Sequence, residues 1–169
     1  MNEFKSIVEK IFLNYPNDYR SGSFGSDLPT YKAFYELRDW IKEEVVQDRD
    51  DLLVKFSCGQ GNWTQVPHFS ILNKNEATDT RDGFYIVALF KHDMTGFYLC
   101  FGQGITGPGD HYGRKGGEEY LVEKAIEARP FFEKMQEFDF KFENDQFDLA
   151  ATGGVAMGYG PGICMHKLI

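Results

Sequence analysis

Apolar residues recur at helical spacing up to about position 45 and at alternating spacing from position 52, a change of period that separates helices from a sheet. Phe4, Ile7, Val8, Ile11 and Phe12 fall at i, i+3, i+4, i+7 and i+8, so they form one stripe of an amphipathic helix. Asn14 to Ser26, with Pro16, Gly22 and Gly25, reads as a loop. A second helix is expected after Pro29, with a stripe that includes Phe34, Leu37, Ile41 and Val45.

From Leu52 the residues become β-branched or aromatic and predict strands at 52–57, 66–72, 83–90 and 96–102. Both alternating faces of 83–90 are apolar, which predicts a central strand covered on each side. Lys91 to Gly96 reads as a hairpin loop. A Gly-rich connection at 102–117 leads to a helix near 117–136, with Leu121, Val122, Ala125, Ala128 and Phe132 toward the sheet and Pro130 interrupting it. Ile163 to Ile169 is expected to return as a short strand. With no repeat and no linker, residues 1–169 form one domain of the α/β (α+β) class. Its sheet is expected to be mixed, mostly antiparallel and curved, with the two N-terminal helices and the later one packed on it.

Composition supports a folded core: 42% of the 169 residues are hydrophobic, including sixteen Phe and nine Tyr. Cys58, Cys100 and Cys164 are far apart, without the spacing of a zinc site or a disulfide framework, and a reducing cytoplasm fits best. The N-terminus mixes charge into its apolar residues, unlike a signal peptide, and no run approaches the ~20 apolar residues of a membrane span. A net charge of −8 counts against a polyanionic partner, because Lys and Arg at phosphates supply much of such affinity. The acidic residues crowd 43–51, 118–127 and 133–148, however, whereas 54–75 holds Lys55 and Lys74 and neither Asp nor Glu.

That uncharged stretch carries the most suggestive chemistry. In Ser57-Cys58-Gly59-Gln60-Gly61-Asn62-Trp63-Thr64-Gln65-Val66-Pro67-His68, glycines permit close backbone approach, polar side chains offer hydrogen bonds and Trp63 offers a stacking surface. Other constellations are weaker. Gly102-Gln103-Gly104-Ile105-Thr106-Gly107 matches G-x-G-x-x-G, but Pro108-Gly109-Asp110 reads as continued loop where a dinucleotide site needs a helix, so no cofactor is expected. Cys58, His68 and Asp110 lack the diagnostic spacing of a triad, as do His92, His111 and His166 that of a metal site. The core strands do not supply the paired acids and lysine of a metal-dependent nuclease. By residue type alone, Tyr85 and Leu89 read as core.

The blocks Lys55 to Leu72, Asp82 to Phe90 and Gly96 to Gly102, with Tyr159-Gly160 before the last apolar segment, resemble the MrcB N-terminal family, the DNA-recognition part of modification-dependent restriction. The resemblance implies a non-enzymatic domain that binds double-stranded DNA carrying a modified cytosine, 5-methyl or 5-hydroxymethyl, and swings that base into a pocket. It implies a pocket that includes His68, Tyr85, Leu89 and Tyr159, and a DNA-penetrating loop of Gln60, Gly61, Asn62, Trp63 and Thr64. It also implies a GTPase motor module and a nuclease subunit as partners. Phosphate contacts are expected from Lys55, Lys74, Arg81, Lys91, Arg114 and Lys115. The best-known member has Trp and Tyr where this chain has His68 and Gln60; histidine stacks over less area and adds a hydrogen-bonding nitrogen, which suits a more polar modification. The alternative is a regulatory module on the same fold that holds a protein or small ligand, a reading the net charge favours.

Overall fold

A computed structural model describes residues 2–142, 147–152 and 159–169. The first helix, α1 (Asn2–Ser21), buries Ile7, Val8, Ile11 and Tyr15. It is longer than its sequence predicts. Pro16 removes one N–H from the helical ladder, yet Tyr15 is fully buried and Tyr19 packs beside it, so tertiary contact carries the helix through the proline. It stops at Gly22, whose φ of 70° belongs to the left-handed region and whose N–H donates to Tyr19 O.

Helix α2 (Pro29–Ile41) starts with proline at its first turn, and Asp18 of α1 accepts its Thr30 N–H at 2.9 Å. Thr30, Ala33, Phe34, Leu37 and Ile41 form its buried stripe. Val45 does not continue that stripe. The last turn, Lys42–Val46, widens to a π-turn, which shifts the phase by one residue: Val46 is buried and Val45 is exposed.

Five strands follow in spatial order β1-β2-β3-β4-β5, every neighbouring pair antiparallel: β1 (Leu52–Gly59), β2 (Trp63–Asn73), β3 (Phe84–Phe90), β4 (Phe97–Gln103) and β5 (Ile163–Leu168). The sheet is curved and wholly antiparallel, without the mixed pairing that the sequence left open. β3 is central as expected and buried except at Phe84 and Ile86. One face, with Val54, Cys58, Phe69, Ala88, Phe90 and Phe97, packs on α1 and α2. The other face carries Val66, Leu72, Tyr85, Val87, Leu89, Tyr98 and Cys100 beneath Phe147, Leu149 and Ala151.

Helix α3 (Thr106–Ala128) begins earlier than predicted and kinks at Gly113, whose φ is 71°. The α-helix ends just before Pro130, and a 3-10 turn, Arg129–Phe138, follows. Leu121 and Ala125 are buried, whereas Val122 points outward and is 46% exposed. Among the described residues no helix is long and apolar enough to cross a membrane.

Candidate nucleic-acid interface

The β1–β2 hairpin turns through Gln60, Gly61 and Asn62, all exposed. Two positive φ angles build it, 122° at Gly59 and 74° at Gly61, and a Cβ on Gly59 would collide with the Asn62 carbonyl. Trp63 is not part of the protruding tip. Its ring is buried against Tyr15, Phe24 and Tyr31, its Nε1–H donates to Ser23 O at 2.5 Å, and the neighbouring Thr64 carbonyl accepts the Tyr15 hydroxyl. The expected loop therefore divides into an exposed three-residue tip and an aromatic anchor that ties it to the helices.

Strand register brings three of the four expected pocket residues to one face. His68 lies directly opposite Leu89, and Leu72 opposite Tyr85, so His68, Tyr85 and Leu89 all point away from α1 and α2. Tyr159 packs against the same cluster. Tyr85 and Leu89 are four positions apart, about 13 Å along the strand. The row between them is Ser70 opposite Val87. Tyr85 marks one end of this patch, its hydroxyl donating to Thr80 O at 3.1 Å, and His68 with Leu89 marks the other.

Burial shapes the titration of these groups. It raises Tyr159 to about 12; it also raises Tyr85, with smaller contributions from Tyr159 and Asp79, so both phenols stay protonated donors at neutral pH. Burial lowers His68, only partly opposed by the Val66 backbone beside it, so its ring is neutral there. His68 Nδ1 and Ser70 Oγ are buried with no hydrogen-bond partner among the described residues.

The six expected phosphate contacts do not form one strip. Lys91 follows β3 at the same end of the sheet as the Gln60 turn, where it pairs with Asp93 at 3.5 Å. Lys55 lies mid-strand and donates to Thr78 O, and Lys74, at the far end of the β1–β2 ladder, donates to Asp50 O, each at 2.6 Å. Arg81 pairs with Asp110 at 2.6 Å, while Arg114 and Lys115 pair with Glu118 and Glu119 one turn along α3. Every one of the six already has a partner.

The competing constellations come apart. Cys58 sits in the helix-side core, where burial raises its thiol, while His68 faces the opposite side of the sheet and Asp110 is engaged by Arg81. Among the described residues no group of three or more His, Cys, Asp or Glu is placed to hold a metal ion. The glycine motif does open into a helix, contrary to the sequence reading, but the Asp82 carboxylate occupies the space beside Gly107 where a side chain would stand. An anion at this helix start would meet that carboxylate.

Ser70 is the residue that sequence reading passed over, because a serine inside an apolar strand carries no signal until the register places it between Tyr85 and His68. No curated protein and no solved structure matches the chain. The family described as MrcB-like, N-terminal domain matches residues 10–168. With nearly its whole length inside that match, and the exposed glycine turn and aromatic sheet face in place, the chain belongs to the MrcB-like N-terminal domains, non-catalytic DNA-binding modules of McrB-type restriction.

Proposed function

We propose that this domain binds double-stranded DNA containing 5-methyl- or 5-hydroxymethylcytosine and draws the modified base out of the duplex. The observation that carries the reading is the register: His68, Leu89 and Tyr85 share one sheet face with Tyr159 packed against it. The Gln60–Asn62 tip enters the space that the base leaves, with Gln60 offering its amide to the orphaned partner base. Extruding a base costs a few kcal/mol, and stacking on tyrosine and histidine, at ~1–3 kcal/mol per base, offsets much of it. Lys91, at the same end of the sheet as the tip, is the phosphate contact best placed by topology; its side chain is largely covered and pairs with Asp93 at 3.5 Å, so a phosphate has to displace that carboxylate. The domain acts in the cytoplasm as the recognition part of a defence system whose GTPase and nuclease reside on other domains or subunits.

Titration with matched duplexes tests this. The duplex carrying modified cytosine should bind more tightly than the unmodified one, and Tyr159→Ala should cost ~1–3 kcal/mol of that binding. Equal affinity for modified and unmodified duplexes at physiological salt would sink the reading.

A second reading, a protein-interaction module, draws support from a different surface. Phe84, Phe101, Phe131 and Phe132 line a groove of about 600 Å³ near Glu76 and Glu127, and Phe131 is 85% exposed. Preferential binding of modified DNA would set that reading aside as the domain's main role.

A further inference from the structure

The helix side of the sheet is left uncovered at one end. Helices α1 and α2 pack over Ala88 and Phe90 of the central strand, but their cover stops short of Phe84 and Ile86 on the same face of β3. Ile86, paired in register with Phe101, is 42% exposed. Phe84 and Phe101 stack beside it with ring centroids 5.6 Å apart. Bare apolar patches of this kind mark interaction surfaces in folded proteins.

The sequence after α3 builds the other wall. Pro130 cannot continue the α-helix, and the 3-10 turn that replaces it divides two consecutive phenylalanines. Phe132 turns onto Phe101, with centroids 4.4 Å apart, while Phe131 is left in solvent and packs into no core cluster of the described residues. Between the walls runs the groove of about 600 Å³. Because one of its walls is a bare ring, the groove is open along that side, which suits a chain segment better than an enclosed small molecule.

Charge decides between occupants. Glu76 and Phe84 are shared with a smaller groove of about 260 Å³, which adds Asp82 and the rings of Tyr112 and Tyr120, stacked at 5.2 Å. Lys124 is the only Lys or Arg on either lining among the described residues, and Glu127 holds it at 2.6 Å. Between positions 118 and 139 acidic residues outnumber basic ones by seven to three. DNA, an anionic membrane surface and a second copy of this acidic chain are all repelled by such a surface. A segment that sets an aromatic or aliphatic side chain beside Lys or Arg suits both grooves at once. Its apolar side chain meets Phe84, Phe101 and Phe131, and its cation meets Glu76 and Asp82 with tyrosine rings near by.

Strand order sets this surface apart from the DNA tip. Asn73, Phe84 and Gln103, on the linings of the two grooves, lie at the ends of β2, β3 and β4 opposite to the Gln60 turn. We propose that the paired grooves dock a basic amphipathic segment of a partner protein, and that they do so while the Gln60 end is on DNA. The proposal gives the aromatic groove its occupant and holds whether or not a base is extruded.

The test is selection of a phage-displayed library of random short peptides on the intact chain, with the same selection on Phe131→Ser run beside it. Peptides enriched by the wild-type chain and not by the variant should pair Phe, Trp or Leu with Lys or Arg. A synthetic copy of the most enriched peptide should bind Phe131→Ser about tenfold or more weakly. Glu76→Lys, at an exposed turn, reads the same surface without touching the aromatic wall; it should weaken the peptide by about three- to tenfold, and added salt should weaken it further. Phe131→Ser should keep the wild-type Tm and the wild-type affinity for a DNA duplex, and the peptide should bind the chain equally well with the duplex present. No enrichment that depends on Phe131, or enriched peptides without a basic residue, overturns the proposal. So does dimerisation through Phe131 in sedimentation, which makes a second copy the occupant, or a loss of duplex affinity in Phe131→Ser, which makes the groove part of the nucleic-acid interface.

Discussion

The two faces of the sheet are built by different rules. The helix side is a continuous aromatic and aliphatic core in which Phe34 stacks on Phe56 at 5.6 Å, meets Phe90 edge-on at 5.3 Å and is fully buried. The opposite side mixes Val87 and Leu89 with the phenols of Tyr85 and Tyr98, the imidazole of His68 and the hydroxyl of Ser70. Tyr98 is satisfied, its hydroxyl accepting the Asp148 N–H at 3.2 Å; Ser70 and His68 Nδ1 have no such partner among the described residues. A face chosen only for stability would carry aliphatic residues at positions 68 and 70. Local rules broken in one place, beside a face where they are kept, mark the side of the fold that stability alone does not account for.

The contrast is broken most forcefully from the helix side. Phe34→Ala leaves a void between α2 and the sheet and should cost about 3–5 kcal/mol of folding stability, measured by denaturant unfolding. A comparable loss from truncating Ser70 on the other face would erase the distinction between the two.

A smaller effect sharpens it. The folded His68 has a pKa below the ordinary 6.5, so in acid the unfolded chain binds a proton that the folded chain resists. Stability should be fully present above about pH 6.5 and fall as the pH drops toward the lowered folded value, by at most about 1.4 kcal/mol per pH unit. Asp51, Asp93 and Asp139, also lowered, act below their ordinary 3.8 and leave this window clear. His68→Phe should flatten the slope between those ranges in unfolding titrations; an unchanged slope would place its origin elsewhere.

Much of the fold was legible because hydrophobic period and burial coincide. All five strands lie within one to three residues of their predicted bounds, and the stripe of α1 is the one the spacing marks out. The misses share one cause, tertiary contact overriding a local signal. Pro16 reads as a helix breaker, but Tyr15 and Tyr19 hold the helix down beyond it; Val45 keeps the period, but the π-turn hands its place to Val46. Trp63 reads as a stacking surface for a ligand because the sequence does not show that α1 and the 22–28 connection surround it. Pocket membership was less legible still. Alternation tells which residues share a strand face, but only register across β2 and β3 sets His68 opposite Leu89 and puts Ser70 between the expected residues. The lysines and arginines were recognisable as charges, whereas their partners, such as Asp110 for Arg81 at a separation of 29 positions, exist only in the fold.

The central claim is that a modified cytosine leaves the helix stack and enters the Tyr85–Tyr159 face. It is tested most directly by placing the fluorescent base 2-aminopurine next to the modified cytosine and titrating the duplex with the protein. Loss of stacking on that side should raise 2-aminopurine emission with the same midpoint as binding, on the modified duplex and not on the unmodified one. Saturable binding to the modified duplex with no change in emission would contradict the account.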